Sequence, residues 1–350
     1  MDDIERTASR RRAAPDMQAS KFVAPAPVAV LPERHRESPP VGDLRFPGCR
    51  PIRLLRDGFE DFEDRLEFWD ARAGTAWVLA ETPGGVHEAT AWRLPHLAER
   101  IALVRGAPIV SLGSVGLVVQ DGHGRPERAM QADATLYLHP RRAVLPEGSL
   151  IIGEHDLPDV VLEVDYSTDV RPGKLPLYEA WGFPELWVVV PPGAKRKRRR
   201  PEGVTIHRLQ GGRYRSLPAS MAFPGWTAEE IHAGLTERVP SARTDRVLER
   251  VGRTLGAREG TGPDDTPLLR SLGERARADA RAEELAASAR SVLQARGIQV
   301  SNPDSVTAAA LAGVPRDALL AAAVSAVDEA DFRRRLAAVW RRRMAARNEP

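Results

Sequence analysis

Two kinds of apolar pattern divide this chain: short runs bounded by glycine and proline, and longer stretches with helical spacing. Leu66-Glu67-Phe68-Trp69 and Ala76-Trp77-Val78-Leu79 flank the turn-forming residues Asp70 to Gly74, which predicts a hairpin. From Val86 to Arg105 apolar residues recur at Ala91, Leu94, Leu97, Ala98 and Ile101, which predicts a helix ending at Gly106. Pro95 removes one backbone hydrogen bond inside it and predicts a kink. Strands are expected at 109–119, interrupted by Gly113 and Gly116, and at 134–138 and 160–164. A short helix from Gly173 to Trp181 is closed by Gly182 and Pro184. A buried strand, Leu186 to Val190, follows, and then a hairpin, Val204 to Arg208 and Tyr214 to Leu217, around Gly211-Gly212. Strands alternating with helices predict an α/β fold, a mixed β-sheet flanked by helices.

The ends read differently. Residues 1–48 carry scattered charge and many prolines without apolar periodicity, the composition of a disordered arm. Beyond residue 238 aromatics nearly vanish and alanine, arginine and glutamate dominate. Glu274 to Gln294 predicts one helix, and Asp304 to Trp340 predicts two more, separated near Gly313-Val314-Pro315. The expected organisation is an arm at 1–48, an α/β domain at 49–238 and a separate all-helical C-terminal extension at 239–350.

Composition narrows the class without naming a partner. The single cysteine, Cys49, excludes a disulfide framework and a cysteine-built zinc site. No apolar run approaches the roughly 18 residues of a membrane span, and the N-terminus lacks the apolar centre of a secretory signal. A soluble, cytoplasmic chain is expected. A net charge of +3 over 350 residues excludes an overall polycation but not local basic patches. Only four of the 51 basic residues are lysine (Lys21, Lys174, Lys195, Lys197), so a lysine inside the folded domain is an unusual choice.

Several familiar sites fail on spacing. His87-Glu88 begins like a helical zinc-hydrolase motif, but Ala91 stands where the second histidine belongs. Gly173-Lys174 lacks the earlier glycine and the following Ser or Thr of a phosphate loop. The glycines around Ser114 form neither a dinucleotide fingerprint nor a nucleophile elbow.

The stretch from Leu157 to Thr168 remains. Alternation along its strand puts Val160, Leu162 and Val164 on one face and Asp159, Val161, Glu163 and Asp165 on the other. A carboxylate inside so apolar a strand costs several kcal/mol unless it is paired or binds a cation. A salt bridge to an arginine would satisfy Glu163. So would a hard divalent cation shared with a second carboxylate, for which Asp133, beside Ala134 to Leu138, is the candidate. Two such acids at close range repel and would titrate as a unit. Lys174, eleven residues after Glu163 at a helix start, can double back to the same strand end; otherwise it is a surface residue. Asp133 and Glu163 as metal ligands and Lys174 as an ammonium beside the attacking water make a candidate phosphodiester-cleaving set. The cofactor expected is Mg²⁺ or Mn²⁺.

The block Pro158-Asp-Val-Val-Leu-Glu-Val, with Gly173-Lys-Leu-Pro-Leu-Tyr-Glu-Ala-Trp-Gly-Phe-Pro-Glu-Leu-Trp-Val-Val, resembles the Uma2 family of restriction-endonuclease-like proteins. The likeness spans about residues 60–235 and includes Phe223-Pro-Gly-Trp. That family belongs to the PD-(D/E)XK nuclease-like superfamily. The resemblance implies a restriction-endonuclease-like core and a metal-dependent endonuclease, with Asp133, Glu163 and Lys174 at the metal and lysine positions and Glu88 as a candidate further acid. Asp165 occupies the place of the superfamily's strand lysine, so the amine has to come from Lys174.

Lys195, Arg196, Lys197, Arg198, Arg199 and Arg200 form a basic run that either grips nucleic-acid phosphates or is a solvated linker. DNA is the expected partner. The arginine-rich helical tail, with triplets at 333–335 and 341–343, is a candidate surface for nucleic acid, a second copy or a protein partner. The competing reading is a nuclease-like module that binds without cutting.

Overall fold

The computed structural model describes residues 38–81, 84–143, 148–194, 201–300 and 314–347. Its strands are β1 (Cys49–Arg53), β2 (Leu66–Asp70), β3 (Thr75–Leu79), β4 (Val110–Ser111), β5 (Gly116–Gln120), β6 (Pro126–Gln131), β7 (Ala134–Tyr137), β8 (Ser149–Ile151), β9 (Val160–Val164), β10 (Glu185–Val190), β11 (Gly203–Gln210) and β12 (Arg213–Leu217). Its helices are α1 (Gly85–Arg105), α2 (Lys174–Ala180), α3 (Ala228–Thr236), α4 (Ala242–Glu259), α5 (Pro267–Ala295), α6 (Arg316–Ser325) and α7 (Glu329–Arg347).

The strands form two mixed sheets. One runs β1-β3-β2-β6-β5-β8, antiparallel except where β5 meets β8. The other runs β12-β11-β10-β9-β7-β4, antiparallel except for the pair β9 and β10. Leu162 and Val164 of β9 pack with Leu94, Leu97 and Ile101 of α1, while Val161 faces Leu177 and Tyr178 of α2 and, from the first sheet, Phe68, Leu117 and Met130. The second sheet is thus covered on both faces, and the alternation of β9 sends Glu163 towards α2 and the first sheet. No described helix is long and apolar enough to cross a membrane.

The α/β reading with a helical C-terminal region therefore holds, but a second sheet was hidden. Strands β1, β6 and β8 escape the sequence pattern because β1 carries Arg50, Pro51 and Arg53, β6 reads Pro-Glu-Arg-Ala-Met-Gln, and β8 has three residues. Two boundaries also move. Residues 38–48, expected in the arm, dock on the domain: Leu44 is buried, the Arg45 amide donates to Pro172 O at 2.9 Å, and Trp181 Nε1 donates to Ser38 Oγ at 3.0 Å. A Cβ on Gly173 would lie 2.6 Å from Arg45 O and 2.8 Å from the Phe46 ring, so this glycine permits close backbone passage and has no phosphate-loop role.

Helix α4, expected in the separate tail, belongs to the α1 layer, where Leu248, Val251 and Leu255 join its core. A Cβ on Gly252 would meet Val104 at 2.7 Å and Ile101 O at 2.9 Å, so the two helices touch backbone to side chain. Helices α5 to α7 hold their own cluster through Ala289, Leu293, Leu319, Ala323 and Phe332. The expected break near residue 313 lies at the edge of the described residues; α6 begins after Pro315, and a further break at 326–328 separates it from α7.

Candidate active site

Five segments meet where the chain crosses from the first sheet to the second. Residues 132 and 133 make that crossing, between β6 and β7, and β2 with the residue before it supplies Glu67 and Arg65. β9 supplies Glu163, the first residue of α2 supplies Lys174, and the N-terminal turn of α1 supplies His87 and Glu88. The turn after β9 aims the lysine. Asp165 is buried there, and its Oδ1 accepts from Val170 N at 3.0 Å; Val170 O in turn accepts from the amides of Gly173 and Leu175. Asp165, expected on the catalytic face, organises the loop that returns Lys174 to the strand.

Lys174 is 2 % exposed. Its Nζ lies 2.9 Å from Glu163 Oε2 and 3.1 Å from Glu67 Oε2, and donates to Gln131 O at 2.7 Å. The other oxygen of Glu163 accepts from the Tyr178 hydroxyl at 2.5 Å. The ammonium of Lys174, the one lysine among the described residues, therefore satisfies the strand acid; sequence analysis offered an arginine or a metal ion for that place, and the arginine alternative is not what the geometry shows.

Asp133 has different neighbours. Its Oδ2 accepts from Val164 N at 2.6 Å and lies 3.3 Å from His87 Nε2, while its Oδ1 takes the Arg65 guanidinium. Arg65 also reaches Glu88 Oε1 at 3.2 Å and Glu67 Oε1 at 3.5 Å. Glu88, the weaker candidate, thus does reach the cluster, at its half-exposed rim. Glu163, Lys174, Glu67, Arg65, Asp133, His87 and Glu88 form one connected set in which cations stand between the acids.

Arg65, Glu67 and Tyr178 were not singled out from sequence, and His87 was weighed only for a zinc motif that fails on spacing. Glu67 had a legible signal: it is an acid inside an apolar strand, the same argument that raised Glu163. Its direction was not legible. The pairing of β2 with β3 jumps from Leu66↔Val78 to Phe68↔Trp77, so Glu67 is the extra residue of a β-bulge, a device that re-aims a side chain.

The electrostatics follow from burial. Burial pushes the Glu163 carboxyl above its usual range; Lys174 pulls the other way and the negative charge of Glu67 adds to the rise. Burial would also raise Glu67, but Lys174 and Arg65 outweigh it and hold that group below its usual range. The acid whose charge adds to the rise at Glu163 is Glu67, a neighbour that the sequence reading did not name. Burial works against the Lys174 charge, yet Glu163 and Glu67 together keep the ammonium above its ordinary value. Burial, then Arg65, lowers His87, so a neutral ring donates to only one of its two carboxylate neighbours.

The donor set fits a hard divalent cation in charge and chemistry. Four carboxylates (Glu67, Glu88, Asp133, Glu163) face two permanent cations, Arg65 and Lys174, which leaves an excess of two negative charges in a largely buried cluster. Among the described residues no three His, Cys, Asp or Glu side chains converge to hold a metal ion. Mg²⁺ needs no such cage, since one or two carboxylates with waters and substrate phosphate suffice.

The sequence model of the Uma2 family, described as "Putative restriction endonuclease", matches residues 57–240. The chain belongs to the Uma2 family. Uma2 membership supports a nuclease function in general terms and a divalent metal as the family's usual need. Among solved structures, a putative nuclease belonging to DUF820 from Anabaena variabilis is similar to this chain at 12 % identity and a TM-score of 0.34, over 57 % of this chain and 99 % of that one. No curated protein matches it.

The Pro184-Glu-Leu-Trp and Phe223-Pro-Gly-Trp residues outside the acid cluster have structural work of their own. Glu185 is fully buried and accepts from Trp187 Nε1, Ser220 Oγ, Met221 N and Ala222 N at 2.5–3.2 Å, pinning the loop before α3 to β10. That loop delivers Phe223 and Trp226 onto Trp187, with ring centroids 5.5–5.8 Å apart. The basic run Lys195, Arg196, Lys197, Arg198, Arg199 and Arg200 lies outside the described residues. In the tail, Arg333 pairs with Glu329, and Arg334 and Arg335 with Asp331, in exposed ion pairs along α7.

Proposed function

We propose that this Uma2 protein is a metal-dependent endonuclease that hydrolyses DNA phosphodiester bonds. The single observation that carries the reading is the buried Lys174–Glu163 pair, 2.9 Å apart, beside acids whose charge its cations do not balance. Asp133 and Glu163 would hold Mg²⁺ or Mn²⁺, and Glu88 is the acid nearest solvent. The bound ion would supply Lewis-acid polarisation of a phosphodiester oxygen and a water acidified towards neutrality. Lys174 suits a supporting role because a compact ammonium can approach one oxygen closely and stays charged between two carboxylates. Tyr178, through its bond to Glu163, fixes the acid's rotamer. Lys195 to Arg200 would add salt-dependent grip on the DNA backbone.

A second reading is a nuclease-like module that binds nucleic acid without cutting it, and the ion pair between Arg65 and Asp133 favours it, since that acid is already neutralised. Incubation of the full chain with supercoiled plasmid, with and without Mg²⁺ or Mn²⁺, tests the two. Metal-dependent nicking lost in Lys174→Ala, with that variant shown folded by circular dichroism, supports the enzyme. Intact plasmid under every metal condition, together with retained salt-dependent binding, supports the module.

A further inference from the structure

Each nitrogen of the Arg65 guanidinium faces a different carboxylate: Nε faces Glu67, Nη1 faces Glu88 and Nη2 faces Asp133. A single side chain thus gathers three acids as a small multivalent cation would. Both oxygens of Asp133 are engaged: Oδ1 takes Arg65, while Oδ2 takes the Val164 amide and lies against His87. A cation approaching Asp133 therefore meets the positive charge of Arg65 already at Oδ1, and departure of one partner relieves that repulsion. The Val164 amide is fixed in β9 and His87 in α1. Arg65 precedes β2, and its side chain is 21 % exposed, so it alone has a path to solvent.

We propose that Arg65 is an exchangeable internal counterion that occupies the cation position at Asp133 and is displaced when a divalent ion binds. The proposal rests on the metal-dependent reading and adds to it a competition built into the site. Guanidinium and metal compete for the same oxygen because a second positive charge at Asp133 repels the first. After exchange the half-exposed Glu88 remains the anchor for Arg65, which keeps the guanidinium at the rim. The charge count agrees, since the cluster carries two negative charges in excess with Arg65 and Lys174 both present. The site is consequently closed against weakly binding ions and opens only to one that outcompetes a multidentate arginine.

Calorimetric titration of the full chain with Mn²⁺ alone tests this, using wild type, Arg65→Gln and Asp133→Asn. Arg65→Gln should bind Mn²⁺ at least about tenfold more tightly than wild type, because it no longer competes. Its metal-free melting temperature should fall below wild type, and saturating Mn²⁺ should close most of that gap. Equal or weaker Mn²⁺ binding by Arg65→Gln, with binding lost in Asp133→Asn, overturns the exchange while leaving the metal site standing. No Mn²⁺ binding in wild type and Arg65→Gln alike, or binding untouched by Asp133→Asn, overturns both. Should Arg65→Gln fail to fold, wild type answers by nuclear magnetic resonance. The Arg65 Nε signal should move on titration with diamagnetic Mg²⁺, and a signal unmoved at saturation overturns the proposal.

Discussion

The ammonium of Lys174 lies 2.9 Å from Glu163 Oε2 across eleven residues of chain, and the same ammonium lies 3.1 Å from Glu67 on the other sheet. One buried cation thus ties β9 to β2, and the catalytic proposal and the stability of the junction rest on the same atom. Removing it separates the two roles only if both are measured. Lys174→Met leaves two buried carboxylates without their shared partner, and breaking such a pair from one side costs about 3–5 kcal/mol. Denaturant unfolding should show that loss. The folded fraction should cut DNA on the order of 10²-fold more slowly with DNA affinity little changed, since the ammonium's contribution is concentrated in the transition state. A folded Lys174→Met protein that cuts at the wild-type rate removes Lys174 from the mechanism.

Glu163→Gln tests the metal assignment. Calorimetry should show Mn²⁺ binding abolished. Repulsion between Asp133 and Glu163 alone would leave the metal-free fold no less stable, but the observed partners of Glu163 are Lys174 and Tyr178. The variant should therefore lose about 1–3 kcal/mol, the range for a buried charged hydrogen bond. Unchanged Mn²⁺ affinity would remove Glu163 from the ligand set.

The limits of the folded domain can be tested by truncation. Ending the chain after residue 238 strips Leu248, Val251 and Leu255 from the α1 layer. At about 1.5–3 kcal/mol for each buried side chain, that loss approaches the total stability of an ordinary domain. The truncated chain should not melt cooperatively, whereas one ending after residue 266 should. Gly252→Ala in the full chain should destabilise by about 1–3 kcal/mol through overpacking against Val104 and Ile101. A cooperative melt from the shorter piece would return α4 to the tail.

Glu230 gives a pH signature away from the acid cluster. It closes the capping box of α3 with Thr227, accepting from Thr227 N at 3.1 Å, and grips Arg250 of α4 with both oxygens at 2.7 and 2.8 Å. Burial would raise its carboxyl, but the Thr227 amide and the Arg250 guanidinium outweigh burial and hold it below the ordinary range. A depressed folded value means that its contribution is fully present above the ordinary glutamate value of about 4.3 and is lost as pH falls through the folded one. Denaturation midpoints of wild type and Glu230→Gln should differ at pH 7 and draw together as the pH falls below the ordinary glutamate value. A gap that persists at low pH would assign the effect to packing.

Much of the site was written locally. The helix at 85–105 and the strands at 160–164 and 185–190 declare themselves because burying one face imposes a period on the residues that make it. Glu163 declares itself because a charge in an apolar strand has to find a partner. Lys174 stands out only because the chain uses so few lysines. These signals need no knowledge of which segments meet.

What remained was decided by meetings in space. The β6 text is too polar to read as a strand until β2 and β5 flank it. Glu67 turns towards Lys174 because a bulge in β2 shifts its pairing by one residue, and no local pattern encodes the register of a partner strand. α4 reads as tail by composition, yet Gly252 lets it lie against α1 closely enough to join the core. Arg65 is one arginine among dozens along the sequence. Only the fold brings Glu67, Glu88 and Asp133 to its three nitrogens, because charge acts through distance and those acids lie on three separate stretches of chain.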